Sequence, residues 1–129
     1  MSLETDRWSR HNFWGVVIDA PDVAVLARFY AQLRGWSIHR QDADWAALDA
    51  GEGVGYIAIQ RNPDYVRPTW PSRPGAQQMM LHLDFEVTDL DAEVDRAVRL
   101  GATVADVQPQ DDVRVLLDPA GHPFCLYTS

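Results

Sequence analysis

The amino-acid sequence predicts an α+β fold in which two βαβββ modules form one cupped, pseudo-twofold unit. Strand-like apolar runs and amphipathic helical segments follow one another in the same order twice along the chain. A segment with four prolines, residues 61–78, separates the two halves. At 129 residues and 47% hydrophobic content, the chain is long and apolar enough to bury a core.

The first module, residues 12–60, begins with the β-branched run FWGVVI, which is typical of a strand. Asp22 can then cap a helix whose apolar residues recur at helical spacing, and Gly35 ends that helix. Three short strands are predicted after it, at 36–40, 45–48 and 54–60, with a turn at 49–53. The first half therefore reads as one βαβββ module.

The second module, residues 79–128, repeats this order and begins with the alternating run MMLHLDFEV. Alternation puts one set of side chains in the core, namely Leu81, Leu83, Phe85 and Val87. His82, Asp84 and Glu86 then point to the other face. Asp89 can cap a second helix that ends at Gly101. The strands predicted after it are 103–107, 113–117 and 123–128, with a turn at 118–121.

Setting Gly15 against His82 aligns the two modules, because Asp22 then falls on Asp89. One helix can cover only one face of each sheet, so we expect the other two faces to curl toward each other and enclose a cup. His82 and Asp84 would line its largest pocket. Polar side chains inside a concavity need water or a ligand as partners, which makes this face a candidate binding site.

Residues 1–11 are interpreted as an N-terminal tail, and residues 12–128 as a single domain whose modules are joined by the proline-rich loop 61–78. The formal charge of −8 leaves no basic surface for nucleic acid, and it would attract a cationic ligand, although acidity also serves solubility. A single cysteine, Cys125, suits a cytoplasmic protein, and no apolar run is long enough for a membrane span.

Three segments resemble the vicinal oxygen chelate superfamily, the glyoxalase/bleomycin resistance/dioxygenase group, over about residues 12–128. They are IDAPDVAVLARFYAQLRGW, HLDFEVTDLDAEVDRAVRLGA and LLDPAGHPFCLY. The PTWP stretch, residues 68–71, resembles a glyoxalase-like subgroup. The resemblance implies the glyoxalase/bleomycin resistance/dioxygenase fold and a homodimer.

The resemblance also implies a divalent metal held by the first and last strands of each module. Those four positions fall at Gly15, Ile57, His82 and Cys125. Gly15 and Ile57 offer no donor atom, so we expect no cofactor and no tightly bound ion of the usual geometry. If a metal does bind, His82 and Cys125 are its expected ligands, and a partner chain could add others.

The roles of the two candidate ligands stay open. His82 could be a pocket histidine hydrogen-bonded to Asp84, a general base for proton abstraction, or a metal ligand. Cys125 could be a small buried hydrophobe, a ligand or a reactive thiol. His122 lies in a turn and is expected to be exposed.

Aromatic residues outside the apolar runs add further candidates. Trp45 begins a strand among polar residues, and Trp70 lies in the proline-rich loop with Tyr65. These three are predicted to form a pocket wall or a subunit contact. Arg114 alternates with two valines and is predicted to face the cup as an anion or carbonyl contact.

Two classes of function compete. The favoured one is a drug-sequestering kind of protein that binds a small cationic or aromatic molecule in an acidic, aromatic-lined cup without chemistry. The alternative is a lyase, isomerase or dioxygenase that acts on a small oxygenated metabolite, with His82 as base or metal ligand. The sequence does not identify the compound.

Overall fold

The computed structural model describes residues 12–51 and 55–129, in two units that comprise Met1–Pro63 and Asp64–Ser129. Residues 1–11, which the sequence analysis interprets as an N-terminal tail, lie outside the described residues, as does part of the turn predicted at 49–53. No helix of the described ranges has the length and apolar character that a bilayer crossing requires.

The first unit contains one four-stranded sheet and one helix. Its elements are β1 (Trp14–Ala20), α1 (Val23–Arg34), β2 (Ser37–Gln41), β3 (Trp45–Asp49) and β4 (Gly55–Arg61). The strand order is β1-β4-β3-β2, and β1 runs parallel to β4 while the other pairs are antiparallel. The predicted order of elements in this half is confirmed.

Helix α1 begins and ends where the capping residues predict. The side chain of Asp22 accepts a hydrogen bond from the backbone N–H of Val25 at 3.2 Å. Gly35 follows the last turn with a φ of 70°, a left-handed conformation that favours glycine. The apolar face of the helix packs on the sheet through Val23, Leu26, Ala27, Phe29, Tyr30 and Leu33.

The second unit repeats this topology. Its elements are β5 (Leu83–Glu86), α2 (Leu90–Leu100), β6 (Thr103–Val104), β7 (Val113–Leu117) and β8 (Pro123–Tyr127). The strand order β5-β8-β7-β6, with β5 parallel to β8, matches that of the first unit position by position. The internal repeat inferred from the sequence is therefore confirmed.

Strand β5 is shorter than the alternating run predicts. It begins at Leu83, so His82 immediately precedes the strand. The side chain of Leu81 is 53% exposed, and its predicted place in the core is wrong. One residue earlier, Met80 takes a φ of 66° and the N–H of Leu81 donates to the carbonyl oxygen of Met79 at 2.7 Å, so the backbone there forms a tight turn and not a strand. The alternation prediction holds only from residue 83 onward.

Strand β6 is also shorter than predicted, with two residues in place of five. The side chain of Gln108 replaces a strand partner beyond it. Its Oε1 accepts from the backbone N–H of Val115 at 2.8 Å, and its Nε2 donates to the carbonyl oxygens of Ala105 and Val115, both at 2.8 Å. The Ala105 N–H still donates to the Val115 carbonyl oxygen at 3.0 Å, so the side-chain amide satisfies the Val115 N–H and the Ala105 carbonyl, which a longer β6 would have paired with each other.

The proline-rich segment is packed onto the second unit. The Tyr65 hydroxyl donates to the carbonyl oxygen of Ala120 at 2.6 Å, and the indole Nε1 of Trp70 donates to that of Val107 at 3.0 Å. Within the segment, the Thr69 N–H and hydroxyl both donate to the carbonyl oxygen of Gln77. The side chains of Tyr65 and Trp70 thus attach the proline-rich segment to Ala120 and Val107 of the second unit.

A buried carboxylate organises the turn between β7 and β8. Asp118 is 1% exposed, and its Oδ1 accepts from the backbone N–H groups of Ala120 and His122 at 2.9 and 3.0 Å. The Nδ1 of His122 lies 2.8 Å from Asp118 Oδ2, and the His122 side chain is 19% exposed. The prediction that His122 is exposed is wrong, because Asp118 and Tyr65 both engage its ring.

Removal of this carboxylate should destabilise the second unit. Asp118→Ala leaves two backbone N–H groups and an imidazole without their acceptor, and we expect a loss of about 3 kcal/mol in the free energy of unfolding. Urea denaturation followed by circular dichroism measures it. The matched control is Asp95→Ala on the exposed side of α2, which changes the charge equally and should cost less than about 1 kcal/mol. Equal losses in the two variants would contradict this account of the turn.

Candidate functional site

The second sheet has one apolar face and one polar face. Asp84 lies opposite Cys125 in the β5–β8 pair, and Glu86 lies opposite Tyr127. Paired residues point to the same side of a sheet, so these four side chains share a face. Phe85, Phe124 and Leu126 occupy the other face and are buried, on the side against which α2 packs. We call the face of Asp84, Glu86, Cys125 and Tyr127 the polar face of the second unit.

Three side chains converge at the start of this polar face. One potential ligand atom from each of His82, Asp84 and Cys125 lies within 4.8 Å of the other two. The Nδ1 of His82 is 2.7 Å from Oδ1 of Asp84. The two side chains are 38% and 52% exposed, so solvent or a ligand can reach both of them. We call these three residues the His–Asp–Cys group.

The contact with Asp84 decides which nitrogen of His82 is available. A carboxylate can only accept a hydrogen bond, so Nδ1 carries the hydrogen and donates it. In the neutral imidazole, Nε2 then keeps its lone pair and can accept a proton or a hydrogen bond. Asp84 therefore orients the ring and leaves one basic nitrogen free of the carboxylate.

The thiol of Cys125 is held in its protonated form. Partial burial, together with the negative charge of Asp84 and a hydrogen bond to it, raises the pKa of Cys125 to about 11. All three causes disfavour the thiolate. At neutral pH the group thus presents a neutral thiol beside a carboxylate, and the thiol is a weak nucleophile.

Alkylation of Cys125 by iodoacetamide tests this electrostatic picture, because only the thiolate reacts. The rate should rise with pH around 11, and at pH 8 it should be about 100-fold lower than for a thiol of pKa 9.0. Asp84→Asn removes the negative charge and should lower the thiol pKa and raise the rate at pH 8. A midpoint near pH 9 in the unsubstituted protein, unchanged in the variant, would contradict the assignment.

The four metal positions implied by the family resemblance do not form a complete ligand set. In the first unit the ring of Tyr56 fills the space where a side chain at Gly15 would begin. Ile57 is buried and shares the helix-side face with Val16. Neither position supplies a donor atom, so the residues present do not fit the usual metal site.

The structure also corrects the alignment of one of these positions. Val17 and Asp84 lie equally far before the N-caps of their helices. Val17 pairs with Ala58, and Asp84 pairs with Cys125. The counterpart of Cys125 in the first unit is therefore Ala58 and not Ile57. Alanine has no donor atom either, so the conclusion about the ligand set stands.

The predicted aromatic residues lie at separate places. Trp45 belongs to the first unit, on the sheet face that it shares with Gln60. Trp70 borders a depression of about 300 Å³ formed by residues 69–73, whose lining does not include His82 or Asp84. The hydroxyl of Tyr65 is engaged by Ala120 and His122. A pocket wall or a subunit contact at these residues stays a prediction.

Arg114 does not share the polar face. It lies opposite Leu126, on the helix-side face, whereas its neighbour Val115 lies opposite Cys125. Its Nη1 donates to the carbonyl oxygens of Gln110, Asp111 and Val113. The prediction that Arg114 faces the cup is wrong. It assumed that Val113 and Val115 lie on the core side of β7, whereas they pair with Tyr127 and Cys125 on the polar face.

Tyr127 was missed as a candidate. It lies opposite Glu86 on the polar face and is partly exposed. Alternation along PFCLY places Tyr127 on the same side as Cys125. The pattern was therefore sufficient to find it once Cys125 had been assigned to that face.

Paired βαβββ units and a polar sheet face define an α+β protein of the glyoxalase/bleomycin resistance/dioxygenase fold. The model of the glyoxalase-like domain family matches residues 15–127, and the chain belongs to that family. No curated protein gave a significant match.

Solved structures share the fold at low sequence identity. A glyoxalase/bleomycin resistance protein/dioxygenase family enzyme from Burkholderia phytofirmans PsJN is 21% identical, with a TM-score of 0.66 over 88% of this chain and 95% of that one. A glyoxalase-related enzyme from Fulvimarina pelagi is 16% identical, with a TM-score of 0.66 over 93% and 89%. The fosfomycin resistance protein FosX from Mesorhizobium loti is 15% identical, with a TM-score of 0.63 over 93% of each chain.

Proposed function

We propose that this chain is a small-molecule binding protein of the glyoxalase/bleomycin resistance kind, and that it holds a cationic or aromatic compound at the polar face of its second unit. The observation that carries the proposal is the convergence of His82, Asp84 and Cys125 at an exposed place on that face. An imidazole, a carboxylate and a thiol offer an acceptor, a negative charge and a donor to one ligand.

The charge of the polar face favours a cation. Asp84 and Glu86 are both exposed on it. Arg114 is the one basic residue in β5, β7 and β8, and it lies on the opposite face. The formal charge of the whole chain is −8, which raises the local concentration of cations. An ammonium or amidinium group beside Asp84 would therefore be attracted at long range and hydrogen-bonded at contact.

An aromatic ligand has a partner on the same face. Tyr127 lies opposite Glu86, so a ring and a carboxylate occupy adjacent places in the sheet. A planar cation could stack on the tyrosine while its charge meets the carboxylates. The fold is also found in a protein named for fosfomycin resistance, which supports a drug-binding class without identifying the compound.

Fluorescence titration with proflavine, a planar cationic dye, tests the binding proposal. We expect saturable binding, weakened at least about tenfold by Asp84→Asn, because a charge-assisted hydrogen bond contributes about 1.5–3 kcal/mol. His82→Ala should weaken it as well, with the fold intact by circular dichroism. Asp95→Asn is the matched control, since it changes the net charge equally on α2. Equal weakening by the two Asn variants, or no binding, would refute the proposal.

A second candidate function rests on one distance, the 2.7 Å between His82 Nδ1 and Asp84 Oδ1. A histidine oriented by a carboxylate is suited to remove a proton next to a carbonyl, as a lyase or isomerase requires. His82 would then be the general base and Asp84 its positioning residue. The substrate class would be a small oxygenated metabolite.

Proton exchange distinguishes this enzyme from a binding protein. Hydroxyacetone incubated with the protein in D₂O should exchange its carbon-bound hydrogens, as followed by NMR. His82→Ala should abolish the protein-dependent rate, and Asp84→Asn should lower it by about 10²-fold. Exchange that persists in His82→Ala, or no exchange above the buffer rate, would exclude His82 as the base for this substrate.

A further inference from the structure

We infer that the first unit carries a separate binding site for a neutral, polyhydroxylated ring compound such as a pyranose sugar. The site is a row of three side chains, Asp19, Gln60 and Trp45, which we call the Asp–Gln–Trp row. It shares no residue with the His–Asp–Cys group or with the polar face of the second unit. The inference therefore goes beyond the proposed function and does not depend on it.

The register of three neighbouring strands forms the row. Asp19 of β1 pairs with Gln60 of β4, and Gln60 pairs in turn with Trp45 of β3. Paired residues point to the same side of a sheet, so the three side chains lie next to one another. Their neighbours on the opposite face, against which α1 packs, are buried: Ile18, Ala46 and Ile59. The row thus lies on the sheet face that α1 leaves uncovered.

The carboxylate of Asp19 holds the polar groups of the row in place. Its Oδ1 accepts from Nε2 of Gln60 at 2.6 Å, and its Oδ2 accepts from Nδ2 of Asn62 at 2.9 Å. A carboxylate can only accept, so the amide nitrogen of Gln60 faces Asp19 and its Oε1 faces away from it. The backbone N–H of Asn62 is itself bonded to the carbonyl oxygen of Ala20 at 3.0 Å. These groups are therefore oriented before a ligand arrives, which lowers the entropy cost of binding.

Trp45 supplies an aromatic surface and an unused hydrogen-bond donor. Its side chain is half-buried, and its indole N–H makes no hydrogen bond to any residue in the described ranges. The backbone of Trp45 is fixed, because its N–H donates to the Asp42 carboxylate at 3.0 Å and its carbonyl accepts from the Asp42 N–H at 2.8 Å. An indole N–H usually finds a partner when it is buried, and a ligand on this face can provide one.

This combination of groups selects the chemistry of the ligand. The indole N–H needs an acceptor, which an ammonium group lacks. Asp19 and Oε1 of Gln60 need donors, which a carboxylate or phosphate ligand lacks. A hydroxyl group both donates and accepts, so it satisfies either kind of partner.

The dimensions of the row suit one ring with several hydroxyl groups. The row crosses three strands, so the backbones of Asp19 and Trp45 are about 10 Å apart. The C–H groups on the face of a pyranose can pack on the indole ring while its hydroxyl groups reach the amide and the carboxylate. Val17, two residues before Asp19 on the same face, is 42% exposed and adds an apolar contact.

The equivalent row of the second unit has different chemistry. Asp19 and Glu86 lie equally far before the N-caps of their helices. Glu86 pairs with Tyr127, and Tyr127 pairs with Val113. Both units thus present a carboxylate at this place, but the amide and the indole N–H occur only in the row of the first unit. The two faces therefore suit different ligands.

NMR titration of the full-length chain with the methyl pyranosides of glucose, galactose and mannose tests this inference. The indole ¹H–¹⁵N signal of Trp45, assigned with Trp45→Phe, should shift and saturate in the millimolar range for at least one glycoside, because the N–H gains an acceptor. The chain has five tryptophans, and the other four indole signals report in every variant whether the fold is intact.

Two substitutions in the row should weaken glycoside binding. We expect at least about fivefold for Gln60→Ala and at least about tenfold for Asp19→Asn, since a hydrogen bond to a charged group contributes more than a neutral one. Gln41→Ala is the matched control, because Gln41 is also an exposed glutamine of the first sheet but pairs with Ala46 on the helix-side face. It should leave the affinity within about twofold.

Three results would overturn the inference. They are the absence of a saturable Trp45 shift with every glycoside up to about 50 mM, equal weakening by Gln60→Ala and Gln41→Ala, and binding of cyclohexanol as tight as that of the glycosides. Cyclohexanol has a six-membered ring with a single hydroxyl group, so it retains the apolar contact and loses most hydrogen bonds.

Asp84→Asn keeps this site apart from the proposed function. The variant should bind the glycoside as the unsubstituted protein does, although its proflavine binding is weakened. Loss of glycoside binding in Asp84→Asn would place the sugar at the second unit and overturn the inference. Glycoside binding that depends on Gln60, in a protein that does not bind proflavine, would support the Asp–Gln–Trp row and refute only the proposed cationic ligand.

Discussion

The parallel pairing of the first and last strands of each unit is the constraint on which the candidate site depends. In the second unit, this pairing sets Asp84 opposite Cys125 and Glu86 opposite Tyr127. The same pairing in the first unit sets Gly15 opposite Tyr56 and Val17 opposite Ala58. The counterparts of His82, Asp84 and Cys125 in the first unit are Gly15, Val17 and Ala58, so the same backbone arrangement carries the His–Asp–Cys group in one copy and three side chains without donor atoms in the other.

Asp84 connects the other two members of the group. It accepts a hydrogen bond from the imidazole of His82 and raises the pKa of the Cys125 thiol. Its charge would also be the first contact of a cation. Loss of this one carboxylate should therefore change the orientation of the histidine, the ionisation of the cysteine and the charge of the face together. This shared dependence makes Asp84 the most informative residue to substitute.

Local sequence signals predicted the elements of the fold well. Asp22 and Asp89 cap the helices as expected, since an N-cap depends on residues within one helical turn. Alternation also placed Asp84 on the polar face. Two strand ends could not be predicted, because Met80 adopts a left-handed conformation and the Gln108 side chain satisfies backbone groups. Neither feature has a signature in the pattern of apolar residues.

The candidate site was predicted in part. His82, Asp84 and Cys125 were named from alternation and the family resemblance, and the structure brings the three together. The sequence could not show the orientation of Arg114, because both valines beside it suit either face of a sheet. It also could not show that Asp118 and Tyr65 engage His122, since these contacts join residues from a loop and a turn.

The central claim is that Asp84 orients the imidazole of His82 within the candidate site. The most direct test of this claim is to determine the tautomer of His82. Long-range ¹H–¹⁵N correlation spectra of the imidazole identify which nitrogen carries the hydrogen. The account predicts that Nδ1 is protonated and Nε2 is not at a pH where the ring is neutral, and that Asp84→Asn removes this preference. A predominant Nε2–H tautomer in the unsubstituted protein, or the same tautomer ratio in both proteins, would contradict it.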